Sequence, residues 1–318
     1  MPVLRNVQAL GCFIGAVLIA IGELPASASI APDQNWSTRD ELSRTNKASS
    51  EELALVFACT TDLLGGDYEA VDQSCGRAIT LRPSDPVPHK LFGISLLIEK
   101  RYERAQHEFE EAVRFAPRDP GSHIGLAEAL RGQDDYADSI NAFTDALALA
   151  PGDAGAWNAR CWTRGLFNRD LKAGLHDCNT ALRLAPVNAD ALDSRGLIYL
   201  RLGDPKLAIR NYDAAIAINA KLVTAIYGRG VARLRLGLLQ SARRDIALAR
   251  SLDKGIDQVF YRSPLLSNTC AAALNIAGAS ARCFGPIGHR PHGHSKGSTS
   301  VTELLHRPGD AIRDTDKF

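Results

Sequence analysis

Apolar and polar positions through the middle of the chain recur in a single frame. Four segments end alike, at Ala78–Pro83, Ala112–Pro117, Ala146–Pro151 and Ala181–Pro186, and their prolines fall 34, 34 and 35 residues apart. Two further copies keep the frame but carry Ala220 and Lys254 where the proline would stand. Within each copy the apolar residues form two runs at helical spacing. A proline closes the second run because it cannot donate the hydrogen bond that would continue a helix. Gly65-Gly66-Asp67, Gly132-Gln133-Asp134-Asp135 and Gly203-Asp204-Pro205 predict turns between the runs. Each copy therefore predicts a helix–turn–helix hairpin.

Small residues stand where the two helices of a hairpin cross. They are Gly93, Ala127, Gly196 and Gly230 on first helices, and Ala105, Ser139, Gly174, Ala208 and Ala242 on second helices. Phe109, Phe143 and Tyr212 follow four residues later, and Tyr68, Tyr102 and Tyr136 open second helices in one register. This 34-residue pattern resembles the tetratricopeptide-repeat family over six units: 52–85, 86–119, 120–153, 154–188, 189–222 and 223–256. The fourth unit is a residue longer, around Phe167-Asn168-Arg169-Asp170. The resemblance implies an all-α fold, a right-handed superhelical α-solenoid. In such a stack each hairpin buries its apolar face only against its neighbours, and the terminal units need caps. Residues 257–284, with Val259-Phe260-Tyr261 and Leu265-Leu266, predict C-terminal capping helices.

The ends of the chain read differently. Arg5, the apolar run Ala9 to Ile21 and Pro25-Ala26-Ser27-Ala28 predict a signal peptide over 1–28. The run is shorter than the roughly 20 residues that span a bilayer comfortably. A retained anchor is the alternative. Nothing later in the chain is apolar enough to cross a membrane. Residues 29–51 read as a polar N-terminal lead, and 285–318, rich in Gly, Pro, His and Ser, as a disordered tail. Lys plus Arg is 37 against Asp plus Glu 36, which gives no net pull toward nucleic acid or an anionic membrane.

Removal of Cys12 with the signal peptide leaves six of seven cysteines, an even set suited to an oxidising compartment. Cys59 and Cys75 in the first unit are equidistant from the hairpin turn, as are Cys161 and Cys178 in the fourth. At 1.5 Å per residue each cysteine stands about 12 Å from its turn, level with its mate. Disulfides Cys59–Cys75 and Cys161–Cys178 are expected, the alternative being four small buried thiols. Cys270–Cys283 is a third possible bridge.

Arg160, Arg195 and Arg229 recur at the seventh position of three units, with Asp177, Asn211 and Asp245 at the twenty-third. Each arginine is expected to face its polar partner between packed helices. A row of cations for an anionic ligand is the alternative. The family resemblance implies that first helices line a concave groove, and it nominates Lys90, Ile94, Glu128, Arg131, Asn158, Trp162, Asp193, Leu197, Tyr227 and Val231 as its lining. Mixed charge with aromatic anchors suits a peptide or protein better than a metabolite. The set of Lys, Asn and Arg that would form a carboxylate clamp cannot be assembled. No nucleotide-binding glycine motif, G-x-S-x-G or H-E-x-x-H occurs, so neither catalysis nor a cofactor is expected. The expected function is a non-catalytic, exported interaction scaffold, periplasmic or secreted. The alternatives are an envelope enzyme or metal-binding protein using His289, His292 or His294 with Cys283, and a self-associating structural protein.

Overall fold

A computed structural model of the chain describes residues 50–260. These residues form twelve α-helices and a closing 3₁₀ turn: α1 (Ser50–Gly65), α2 (Tyr68–Leu81), α3 (Pro86–Ile98), α4 (Tyr102–Phe115), α5 (Pro120–Gly132), α6 (Tyr136–Leu149), α7 (Ala154–Phe167), α8 (Leu171–Leu184), α9 (Ala189–Arg201), α10 (Pro205–Ile218), α11 (Val223–Arg235), α12 (Leu239–Leu252) and η1 (Ile256–Phe260). Each odd-numbered helix pairs with the next to make a hairpin. Each second helix packs against the first helix of the following unit. First helices of neighbouring units also touch, at α1/α3, α3/α5, α7/α9 and α9/α11, whereas second helices of neighbouring units make few contacts. The result is an all-α repeat solenoid whose first helices form its more closely packed layer. The signal segment, most of the lead, all but the first residues of the cap, Cys270, Cys283 and the histidine tail lie outside the described residues.

Local chemistry starts each unit. Asp85, Asp119, Asp153 and Asn188 each accept a backbone N–H from the first turn of α3, α5, α7 and α9. Each satisfies a donor that has no partner within the helix, worth about 1 kcal/mol. Proline at the start of α3 and α5 already has helical φ and lacks only an N–H that would be orphaned there. Every turn inside a unit contains a left-handed residue: Gly66, Gly203 and Gly237 in three units, and Lys100 and Asp134 in two. The fourth unit uses two, Asn168 and Asp170. Its extra residue lengthens α7 to 14 residues, where α3, α5, α9 and α11 have 13.

Packing between units depends on rings seated between glycines. The fully buried Phe109 lies against Gly93 on α3 and Gly125 on α5, where a Cβ would stand 2.8 and 2.1 Å from the ring. Tyr212 lies in the same way between Gly196 and Gly228, at 2.6 and 2.4 Å. A second repeated device spans the linkers. His89 Nε2, His123 Nε2 and Trp157 Nε1, all at the fourth position of their units, reach the carbonyls of Pro83, Pro117 and Pro151 at 3.0, 3.0 and 2.8 Å.

The sulfurs of Cys59 and Cys75 and of Cys161 and Cys178 lie at disulfide distance, with Cα separations of 5.0 and 5.5 Å. Both values fall in the usual range. Each pair ties the first helix of a unit to its second, and all four residues are buried. Cross-linking a loop of this size stabilises by roughly 3 kcal/mol on the chain-entropy model. Adding reductant to the folded protein is therefore expected to lower its melting temperature by several degrees. The same addition should release at least four thiols that were blocked before reduction. An unchanged melting temperature with all thiols already reactive would contradict both bridges.

Candidate functional site

Arginines at the seventh position clamp three helices apiece. Arg160 on α7 meets Asp177 on α8 in a bidentate pair, Nε–Oδ2 3.0 Å and Nη2–Oδ1 2.8 Å, and reaches Thr144 Oγ1 on α6 at 2.9 Å. Arg164, one turn on, also donates to Asp177. One unit later Arg195 donates to Asn211 Oδ1 on α10 at 2.7 Å and to Asn179 Oδ1 on α8 at 3.0 Å. In the last unit Arg229 meets Asp245 on α12 at 2.9 and 2.8 Å and Asp213 on α10 at 2.9 Å, with Arg233 adding a bond to Asp245 at 2.7 Å. Each guanidinium therefore ties its own second helix and the preceding one to a first helix. The chemistry differs by storey. Burial lowers the pKa of Arg195, which faces only amides. Burial acts the same way on Arg229, but its bonds to Asp245 and Asp213 outweigh it and raise its pKa. These donors are engaged inside the fold, so they form no open row for an anionic ligand.

The residues nominated for the groove divide into two groups. Ile94, Leu197, Tyr227 and Val231 are buried in the core and offer no surface to a partner. The reason is the close approach of adjacent first helices: Leu197 fills the space above Gly165, where a Cβ would stand 2.7 Å from its Cδ2. Tyr227 turns its hydroxyl to Asp257 Oδ1 of η1 at 2.7 Å, and Arg250 grips the same carboxylate at 2.9 and 3.1 Å. Burial would raise the pKa of Asp257, but the Arg250 and Tyr227 bonds hold it below the usual carboxylate range. The start of the predicted cap thus locks onto the last unit.

Of the other nominated residues, Lys90, Glu128, Arg131, Asn158 and Trp162 are partly exposed on the first-helix layer, whereas Asp193 is buried. Lys90 Nζ meets Asp119 Oδ2 at 3.1 Å, and Glu128 pairs with Arg131 on its own helix. Trp162 is partly buried and packs beside the core that contains Leu166 and Leu197. Asn158 and Asp193 occupy the same repeat position on α7 and α9. Asn158 Oδ1 is buried without a hydrogen-bond partner. Asp193 is 4% exposed and accepts a bond from Thr224 Oγ1 on α11. Burial drives its pKa up to about 7, the Thr224 bond opposes this, and the charge of Asp190 adds to it. Asp190 itself is exposed one turn earlier on α9. No cation pairs with either carboxylate among the described residues. Asn158 Oδ1 and the Asp190 carboxylate are acceptors without a donor, so chemically they suit a ligand that brings N–H groups.

Sequence reasoning missed Asp190 and Thr224, both at the second position of their units. The available signal was register, because the second position of one unit abuts the fifth position of the unit before it. Arg201 and Arg235 were also missed. They end α9 and α11 and donate to the carbonyls of Gly165 and Leu200 near the ends of the preceding first helices, at 3.3 and 2.5 Å. Burial lowers the pKa of Arg201 to about 10.

Among the described residues no helix is long and apolar enough to cross a membrane. A 73-residue stretch is 36% identical to the FAM10 family protein At4g22670 of Arabidopsis thaliana, covering 23% of this chain and 17% of that one. The chain thus matches about a sixth of the length of that curated relative. A solved tetratricopeptide repeat protein from Parabacteroides merdae ATCC 43184 aligns with a TM-score of 0.55 at 15% identity, over 67% of this chain and 88% of its own. The APC/C hetero-tetramer Cut9-Hcn1 aligns with a TM-score of 0.54 at 16% identity, over 70% and 44%. At such identities the likeness is one of fold. The sequence profile of the tetratricopeptide repeat matches residues 91–159, 166–222 and 194–255, together half of the chain. With that match laid over hairpins stacked in the same period, the chain belongs to the tetratricopeptide-repeat family.

Proposed function

We propose that this protein is a non-catalytic scaffold of the cell envelope that holds a protein or peptide along the first helices of its fourth to sixth units. The observation that carries the reading is a pair of acceptors in this layer with no donor, Asn158 Oδ1 and the exposed Asp190 carboxylate, beside the buried Asp193 that only Thr224 answers. Asn158 Oδ1 has no donor, and Asp190 and Asp193 have no cation. Buried polar atoms are normally paired, so the orphaned Oδ1 asks for a partner, which an N–H brought to this partly exposed residue would supply. The preferred partner is a segment carrying Lys, Arg or free amide N–H groups, with Trp162 at the edge of the contact. The export half of the proposal rests on the signal-like N-terminus and on two cysteine pairs at disulfide distance.

Affinity capture from envelope extract with the wild type, Trp162→Ala and an Asn158→Leu/Asp190→Ala double variant tests this. A partner enriched by the wild type and lost at least tenfold by the double variant is expected. Equal recovery by all three proteins removes this face as the binding surface. Self-association is a second reading with one observation in its favour: α1 leaves Leu53, Phe57 and Leu64 exposed at 61%, 70% and 58%. Light scattering over a concentration series separates the two readings, since a scaffold that only binds a partner keeps a constant mass.

A further inference from the structure

Three rings at one repeat position make the same bond to a linker carbonyl, and one of them differs in what lies on its far side. Trp157 has a single N–H, which it gives to Pro151 O. His123 gives Nε2–H to Pro117 O and has no carboxylate at its other nitrogen among the described residues. His89 reaches Pro83 O through Nε2 at 3.0 Å and Glu108 Oε2 through Nδ1 at 2.8 Å. Both partners are pure acceptors. A neutral imidazole has one N–H and one lone pair, so it can satisfy only one of them. The lone pair then faces an oxygen about 3 Å away, inside a site where His89 is 5% exposed.

We propose that His89 is a proton-operated latch across the junction between the first and second repeat units. When doubly protonated it bridges the linker carbonyl of Pro83 and the Glu108 carboxylate on α4. When singly protonated it must release one of them. The linker ends are short: Asp85 N–H bonds Arg82 O, and Val87 N–H bonds Asp85 Oδ1. Arg82 is tied to Glu52 on α1 at 2.9 Å and by its N–H to Ala78 O, so loss of the Pro83 bond loosens the segment between α2 and α3 beyond Arg82, where its own turn remains. The charged groups that bear on His89 are Glu108 and Glu111 on α4, and Glu111 is itself paired with Arg114. The aromatic neighbour is Phe115, with ring centroids 6.0 Å apart. Burial alone would lower the pKa of His89, but the Glu108 bond, the Pro83 carbonyl and the two carboxylate charges outweigh it and raise the pKa. A raised folded pKa gives stability that is complete below the unfolded value near 6.5 and is lost as pH rises through the folded value.

The test uses the whole chain. Imidazole nitrogen shifts of His89 report its charge, and hydrogen exchange at Asp85 and Val87, corrected for intrinsic rate, reports the junction. The expected result is a cationic ring at pH 6 and a several-fold fall in protection at these amides between pH 6 and pH 9. The disulfide-linked α1/α2 hairpin should show no matching change. Glu108→Gln keeps the shape but supplies an N–H to Nδ1, so the fall should vanish in that variant and His89 should titrate at lower pH. A neutral His89 ring at pH 6 in the wild type overturns the latch, and that measurement needs no variant to fold. Protection that is flat with pH in the wild type, or that falls equally in Glu108→Gln, overturns it as well.

Discussion

Asp177→Ala is expected to destabilise the protein by about 3–5 kcal/mol, a large share of the net stability of a typical domain. Asp177 is 1% exposed and receives both arms of Arg160 together with a bond from Arg164. Removing it leaves two guanidinium groups with no carboxylate in a largely buried interface among α6, α7 and α8. Most of the loss is the cost of stranding those charges, not the net worth of the pair. The next unit shows how the cost can be reduced, since Arg195 is held there by the neutral Asn211 and Asn179. Asp177→Asn should therefore lose much less than Asp177→Ala. Urea unfolding of the three proteins at equal pH measures the order. Equal stability of wild type and Asp177→Ala would show that the clamp is not a structural tie.

Asp193→Asn is expected to act in the opposite direction and to depend on pH. The native carboxyl holds its proton up to about pH 7, whereas the unfolded carboxyl loses it near 3.9. That extra proton affinity favours the native state below the unfolded value and is lost as pH rises through 7. Above pH 7 the native state carries a buried charge that only Thr224 relieves. At about 1.36 kcal/mol per pH unit, the interval between the unfolded and folded values caps the effect at roughly 4 kcal/mol. The amide is therefore expected to gain about 2–4 kcal/mol at pH 8 and little at pH 4. Asn retains an oxygen for the Thr224 hydroxyl. Thermal unfolding of both proteins at the two pH values checks the size and the sign. A variant that is less stable at pH 8, or that gains equally at both, would show that Asp193 carries no unrelieved charge.

Much of the scaffold could be read from the sequence because a repeat states each rule several times. The tyrosines that open second helices, the prolines that end them and the glycine turns sit where the helices begin, end and reverse. The arginine and its polar mate could be paired from register alone, as could the cysteines. The tie of each arginine to the preceding unit, through Thr144, Asn179 and Asp213, was hidden, since it depends on how neighbouring hairpins nest. Gly125 and Gly228 are hidden for the same reason, because a ring from the previous unit occupies the space a side chain would need. The groove was the least legible part. A position that faces a partner in one solenoid becomes core where first helices approach more closely, and Leu197 over Gly165 is that case.

Whether the first-helix layer holds a partner can be decided by site-specific photo-crosslinking in intact cells. A crosslinking residue is placed at Asn158 or Asp190 on the first-helix face, and at Asp145, exposed on the second helix α6, as the control. A discrete adduct with one partner is predicted from the first two positions and none from Asp145. Adducts from Asp145 alone, or equally from all three positions, would contradict a binding role for this face.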